Sequence, residues 1–134
     1  MNFDLTPEQQ TFSDTVRRFA QDQLAPDALA RAHDPDYPFD IARKMAANGL
    51  LGITISEADG GQGGSLMDAV LAIEAVAASC PRSADVVQAG SFGAIRVLAE
   101  YGSSEQKARY LAPILNGDGV ISVGMTEPEA GSAV

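Results

Sequence analysis

Apolar residues recur at intervals of three and four along most of this chain, the spacing of helices that bury one face. Phe12, Val16, Phe19 and Leu24 form the first stripe, with Thr6, Pro7 and Gln9 as a capped start and Pro26 as its end. Residues 25–37 hold Pro26, Pro35 and three aspartates, which predicts a short helical turn and a loop. Pro38 opens a second helix through Ile41, Ala42 and Met45, stopped in the left-handed conformation at Asn48-Gly49. Residues 50–55, Leu-Leu-Gly-Ile-Thr-Ile, read as a buried extended link, and the four glycines at 60, 61, 63 and 64 as a loop. Ser65 caps a third helix on Leu66, Ala69, Val70, Ile73, Val76 and Ala77, closed by Cys80-Pro81. A fourth runs from about Ser83 to Tyr101, with Gly102 as its stop, and these two form the central packing pair. Ser103 with Gln106 caps a short helix carrying Tyr110 and Leu111 to Pro113. After Asn116-Gly117-Asp118-Gly119 the period changes to two. Residues 120–125, Val-Ile-Ser-Val-Gly-Met, predict one β-strand with no partner elsewhere in the chain.

Composition strengthens the helical reading. With 22 alanines, 6% aromatics and no Trp, the helices are expected to pack closely on small side chains, giving an all-α bundle of five or six helices. A chain of 134 residues buries roughly two thirds of the surface its unfolded form exposes, enough for one domain but too short for most complete cofactor enzymes. The net charge of -9, without a Lys/Arg cluster, excludes nucleic acid and anionic membrane surfaces as partners. The amino-terminal residues show no targeting pattern, and no apolar run is long enough to span a bilayer. Cys80 is the only cysteine and His33 the only histidine, so neither a disulfide nor a common zinc site is available, and a cytoplasmic protein is expected.

Several constellations invite chemistry. Asp59-Gly-Gly-Gln-Gly-Gly-Ser65 before a helix suggests a phosphate cradle, but it lacks Gly-Lys-Ser/Thr and has Leu66 where the dinucleotide fingerprint needs glycine. A tight connection is the preferred reading. Ala89-Gly90-Ser91-Phe92-Gly93 approaches a nucleophile elbow, yet it lies in a helical pattern and His33 precedes it. His33, and the pairs Glu57 with Asp59 and Glu127 with Glu129, read as solvated loop residues. The informative segment is 123–132, where a β run ends in a Pro/Gly turn that offers backbone N–H groups and hydroxyls to ligand oxygens.

There the residues resemble a family. Thr126-Glu127-Pro128 followed by Ala130-Gly131-Ser132 resembles the flavin-binding signature of the acyl-CoA dehydrogenases. Asn48-Gly49-Leu50-Leu51-Gly52-Ile53, Gly60-Gly61-Gln62-Gly63 and Tyr101-Gly102-Ser103-Ser104-Glu105-Gln106-Lys107, with Tyr110-Leu111 before Pro113, are similar in order and spacing to that family's amino-terminal helical domain. The resemblance implies a helical domain over residues 1–118, and over 119–134 the first strand and flavin-binding turn of a middle β-barrel domain. A carboxy-terminal helical bundle would follow, with FAD between the last two domains and the catalytic glutamate outside this chain, so that no catalytic residue is named and the segment alone is expected to be inactive. By position, Val123, Gly124, Met125 and Thr126 would lie beside the flavin ring, Gly131 and Ser132 at its pyrophosphate, and Ser132 also near the thioester. Val86, Ala89, Gly90 and Gly93 would line the acyl pocket.

The implied reaction is oxidation of an acyl-CoA thioester to the trans-2-enoyl-CoA in fatty acid metabolism. An electron-transfer flavoprotein would be the acceptor, and the assembly a homo- or hetero-oligomer such as a homotetramer. The alternatives are a flavin-dependent monooxygenase of the same fold and a non-catalytic helical module that binds a partner helix near Gly90 and Gly93. Four positions depart from the family pattern: Val123 for an aromatic residue, Glu129 for Gly, Ala133 for Asp and Ser56 for Pro. They bear on acyl specificity, as does the run of small residues at Ala89, Gly90, Ser91, Gly93 and Ala94, which leaves room for a neighbouring helix or for a bulky acyl group.

Overall fold

Three of the helices begin where a side chain receives the first free N–H groups. The computed structural model describes residues 4–132, so Ala133 lies outside the described residues. In α1 (Pro7–Gln23) the Thr6 hydroxyl accepts from the Gln9 N–H at 3.2 Å and the Gln9 side chain accepts from the Thr6 N–H at 3.0 Å. The same reciprocal box, formed by Ser65 and Asp68, starts α4 (Leu66–Ala77). Ser103 and Gln106 repeat it at α7 (Ser104–Gln106). Between α1 and α4 lie α2 (Ala28–His33) and α3 (Phe39–Ala47), the latter stopped at Gly49 with φ +68° as the glycine predicts.

The helices α1, α3, α4 and α5 (Pro81–Ser91) share the main core. Leu24, Ile41, Met45, Val76 and Val87 are its large members, set among Ala20, Ala42, Ala69, Ala72 and Ala75. Methyl side chains let the helices approach closely, so the alanine content shapes the packing as well as the propensity. The buried Cys80 closes the α4–α5 corner. Its sulfur accepts from Arg31 Nη1 at 3.3 Å and from the Ser83 hydroxyl at 3.1 Å, while the same Arg31 nitrogen also donates to the Leu24 carbonyl at 3.0 Å. A second cluster of Ile55, Ile95, Ala99, Leu111 and Ile114 lies under α6 (Ala94–Tyr101) and the closing helical segments.

The structure corrects several expected boundaries. Residues 50–55 are buried, but they form consecutive turns instead of an extended link, because Gly52 takes φ +66° and its carbonyl accepts from the Ile55 and Gln62 N–H groups. The helix expected from Ser83 to Tyr101 is two helices, α5 and α6, separated at Phe92 and Gly93, and it starts earlier, at Pro81. The last helix does not stop at Pro113. A π-helical turn at Lys107–Leu111 leads into α8 (Ala112–Leu115), with the Ala112 N–H on the Lys107 carbonyl five residues back. Proline offers no N–H and its ring crowds the carbonyl four residues earlier, so a widened turn lets the helix continue through it. These divisions give eight short α segments among the described residues where five or six helices were expected.

The expected strand at 120–125 is not formed. A strand exists only in a ladder, and among the described residues the single β-bridge joins Glu127 to Ala130 across their own turn. Val120, Val123 and Met125 are exposed, whereas Ile121 packs against the second cluster. No helix of the described residues is long and apolar enough to cross a membrane, and no group of three or more metal-ligating side chains occurs among them.

The turn after α8 is seated on α3. Gly117 is buried at φ +78°, and an added Cβ would overlap the backbone of Ala42 and Arg43. Arg43 and Asp118 pair beside it at 2.7 Å, but both are more than half exposed, and such a pair contributes under about 1 kcal/mol. Backbone contact therefore dominates. Gly117→Ala is expected to cost more than about 2 kcal/mol in urea unfolding, and Asp118→Ala less than about 1 kcal/mol.

Candidate functional site

A helix end leaves its last carbonyls without intrahelical partners. At the end of α5 the turns of residues 50–54 supply them. The Gly52 N–H donates to the Gly90 carbonyl at 2.6 Å, the Thr54 hydroxyl donates to the Ser91 carbonyl, and the buried Ser91 hydroxyl donates to the Leu50 carbonyl at 3.4 Å. Beyond this clamp Phe92 is extended, and Gly93 takes φ +80° and ψ −128°, a conformation open to glycine. The chain turns there and restarts as α6.

The turn opens one side of a cleft of about 400 Å³. Three residues of α5 face it, Asp85, Gln88 and Ala89, spaced as one helical stripe, and the extended Phe92 adjoins them. Gly93 and Ala94 form its end, Ile121, Ser122 and Val123 its opposite wall, and Tyr37 its side. Burial raises the Tyr37 phenol above its ordinary pKa despite the nearby Arg82 cation, so it remains an O–H donor through neutral pH.

Of the residues expected at an acyl pocket, Ala89 and Gly93 line this cleft together with Val123, while Val86 and Gly90 face inward. Val86 is buried in the main core, and a Cβ on Gly90 would come within 2.7 Å of Leu51 Cδ2. Close packing against Leu51 accounts for the glycine at 90. Gly93 lies outside any helix, so its small size answers to backbone conformation. Asp85 and Gln88, which also line the cleft, were not among the residues expected there. The pattern of polar residues at 85 and 88 against apolar ones at 86, 87 and 90 marks the outward face.

Gly124, Met125 and Thr126 continue outward from the cleft, and all three are exposed, as are Gly131 and Ser132. The turn between them is closed by the Glu127 N–H on the Ala130 carbonyl at 3.1 Å and the reverse bond at 3.2 Å. A Cβ built on Gly124 or Gly131 would meet nothing of this chain within 4 Å, so an outside group can reach the backbone at both.

The glycine-rich loop behaves differently. The N–H groups of Gly60, Gly61, Gln62, Gly63 and Gly64 all donate to carbonyls between residues 52 and 57, and a Cβ on Gly61 would overlap the Ile55 carbonyl. With its donors used internally, the loop is a tight connection and no phosphate cradle. Within it Asp59 accepts from Lys107 Nζ at 2.8 Å and from the Ser56 hydroxyl at 2.9 Å. Asp59 is thus an ion-paired link to the π-helical turn and not merely solvated. Ser91 is buried with its hydroxyl bonded, and His33 is exposed at the end of α2, so no hydrolase elbow exists here.

The described residues thus form an all-α bundle in which a helix break and the start of the segment leading to a glycine-bearing turn border one cleft. Residues 6–118 match the family model described as acyl-CoA dehydrogenase, N-terminal domain, and the chain belongs to the acyl-CoA dehydrogenase family. It is 32% identical to the short-chain specific acyl-CoA dehydrogenase of Clostridium acetobutylicum and 35% identical to the benzylmalonyl-CoA dehydrogenase of Aromatoleum aromaticum, in both cases over 98% of this chain and 35% of the relative. It superposes on the FAD complex of PigA with a TM-score of 0.84 at 30% identity, covering 99% of this chain and 35% of that one. The chain therefore spans about a third of the length of the curated relatives it matches.

Two outcomes follow from this geometry. Gly93→Ala has free space for its methyl group, so its cost of about 1–3 kcal/mol should come from backbone strain alone, and Gly93→Leu should cost no more than Gly93→Ala in thermal unfolding. The Lys107 hydrogen bond, and then the Ser56 hydroxyl, hold the Asp59 carboxyl below its usual pKa. A depressed native pKa stabilises the fold above the unfolded-state value near 4 and ceases to do so as pH falls through the native value. The urea midpoints of wild type and Asp59→Asn should accordingly differ by a constant amount above about pH 5 and converge below about pH 4.

Proposed function

We propose that this chain is the helical wall of an FAD-dependent acyl-CoA dehydrogenase, with the acyl group of the thioester lying in the cleft between α5, Gly93 and Val123. The observation that carries the reading is this cleft. It brings Ala89 and Gly93 opposite the segment that runs on to Thr126 and Ser132. FAD, when bound, supplies the hydride acceptor for oxidation of the Cα–Cβ bond of the thioester.

The chain's own part is to bind and orient. Val123 and Met125 offer exposed apolar contact to the flavin ring, with Gly124 leaving the backbone between them uncovered. The Thr126 hydroxyl offers a donor, and the turn through Gly131 and Ser132 offers backbone N–H groups and a hydroxyl to phosphate oxygens. The residues present suit such a group. Gly124 and Gly131 are open where Gly61 and Gly117 are filled by the protein's own atoms, which leaves ligand approach as the use of the two open positions. Ala89, Phe92 and Ile121 give the acyl chain an apolar surface, and the rigid clamp on α5 fixes where that surface stands. An electron-transfer flavoprotein is assigned as the acceptor, and the enzyme as an oligomer, on the family resemblance.

The test is anaerobic addition of acyl-CoA thioesters to the flavin-loaded enzyme that contains this chain. Loss of the visible flavin absorbance is expected. A flavin that responds only to oxygen in the presence of a reductant would replace the dehydrogenase reading with the monooxygenase one. Gly131→Val should lower FAD affinity at least tenfold, about 1.4 kcal/mol, with no change in thermal stability of the apoprotein, because the new side chain meets nothing in this domain.

A further inference from the structure

The cleft wall is not uniformly apolar, and its polar groups are unspent. Among the described residues the Asp85 carboxylate accepts no hydrogen bond and forms no ion pair, and the Gln88 side chain likewise makes no hydrogen bond. Arg82, the cation on the same helix, lies near Tyr37 at the side of the cleft and is held there by the loop. Arg82 donates through Nη2 to the Asp36 carbonyl at 3.2 Å, on the side of the loop before α3. Asp85 and Gln88 stand three residues apart on the cleft-facing stripe of α5, so one ligand group can meet both.

We infer that the acyl group taken by this cleft carries a hydrogen-bond donor, a hydroxyl or an ammonium, received by the Asp85 carboxylate and the Gln88 side-chain carbonyl. The inference rests on the dehydrogenase reading for the identity of the ligand and goes beyond it in naming the substrate class. Three acyl types compete for the cleft. A plain aliphatic chain removes water from Asp85 and returns no partner, which penalises its binding. An acyl group ending in a carboxylate places two anions in one cleft. A donor-bearing chain replaces the lost water and adds a charge-assisted bond. Tyr37, held protonated, and Ser122 border the same space and accept or donate as that group requires. Ala89, Phe92, Ile121 and Val123 receive the methylene part, so the preferred acyl group is apolar near the thioester and polar farther along.

The experiment is calorimetry on the complete flavin-loaded enzyme with S-alkyl-CoA thioethers, which bind without being oxidised. S-butyl-CoA, S-(4-hydroxybutyl)-CoA, S-(4-aminobutyl)-CoA and S-(3-carboxypropyl)-CoA differ only in their last group. The hydroxyl or the amino analogue should bind at least tenfold more tightly than the butyl one, and the carboxyl analogue most weakly. Asp85→Ala, at an exposed helical position where alanine favours the helix, should bring the butyl and donor analogues within about twofold of one another. Asp85→Asn should retain part of the preference for hydroxyl and lose that for ammonium. Equal or tighter binding of the butyl analogue to the wild type, or a donor preference that survives Asp85→Ala, overturns the inference. A donor preference in binding with no thioester able to bleach the flavin would leave the assignment of Asp85 standing and remove the dehydrogenase reading. Failure of every thioether to bind would remove both.

Discussion

The clamp on the last carbonyls of α5 is the constraint on which the candidate site depends. Helix α5 would otherwise run into α6 as one continuous rod, since nothing between 94 and 101 resists helix formation. Instead the Gly52 N–H and the Thr54 hydroxyl occupy the carbonyls of Gly90 and Ser91 that a continuing helix would have used. A neutral hydrogen bond contributes only about 1 kcal/mol net, but an unsatisfied buried carbonyl costs about 1–3 kcal/mol, so the clamp acts mainly by making the alternative expensive. The chain leaves the helix axis at Phe92, and the cleft is the space beside that departure.

The clamp holds its place because two glycines let backbones meet. Gly52 reaches φ +66° to turn its N–H toward α5, and Gly90 has no Cβ where Leu51 Cδ2 lies. The same stretch joins the two apolar clusters. Leu50, Leu51 and Ile53 belong to the core of α1, α3, α4 and α5, while Ile55 belongs to the cluster under α6. Residues 50–55 are therefore a seam between two packed bodies as well as a cap. Displacing them would loosen both cores and let the helix break relax, which ties the shape of the cleft to the stability of the whole domain.

Features set by near neighbours in the chain were legible in the sequence, and features set by distant ones were not. The caps at Thr6, Ser65 and Ser103 and the stop at Gly49 depend on residues three or four positions away, and each forms as its pattern predicts. The break at Gly93 depends on groups some forty positions earlier, and no local signal distinguishes it from a tolerated glycine inside a helix. The continuation through Pro113 depends on a π-helical turn that periodicity at 3.6 residues does not reveal. The expected strand had the right alternation but needed a ladder partner. At the site, Ala89 and Gly93 were reachable from the resemblance. Separating the cleft-facing Asp85 and Gln88 from the buried Val86 and Gly90 required knowing which side of α5 the core covers.

Glycine serves two opposite ends in this chain, and what an added Cβ would meet tells them apart. At Gly52, Gly61, Gly90 and Gly117 it would meet the protein itself, so these glycines are spent on the fold. At Gly124 and Gly131 it would meet nothing, and no φ above zero demands glycine there either. The distinction matters for a chain of net charge -9, whose side chains are poorly suited to hold a phosphate-bearing ligand. Backbone N–H groups carry no such handicap, provided they are reachable and not already bonded. The glycine-rich loop at 60–64 fails that condition on both counts, although it has the denser glycine signal. At the sparser pair at 124 and 131, beyond the cleft wall that ends in Val123, no atom of the domain lies within 4 Å of an added Cβ, so the condition of reach that the loop fails is met there.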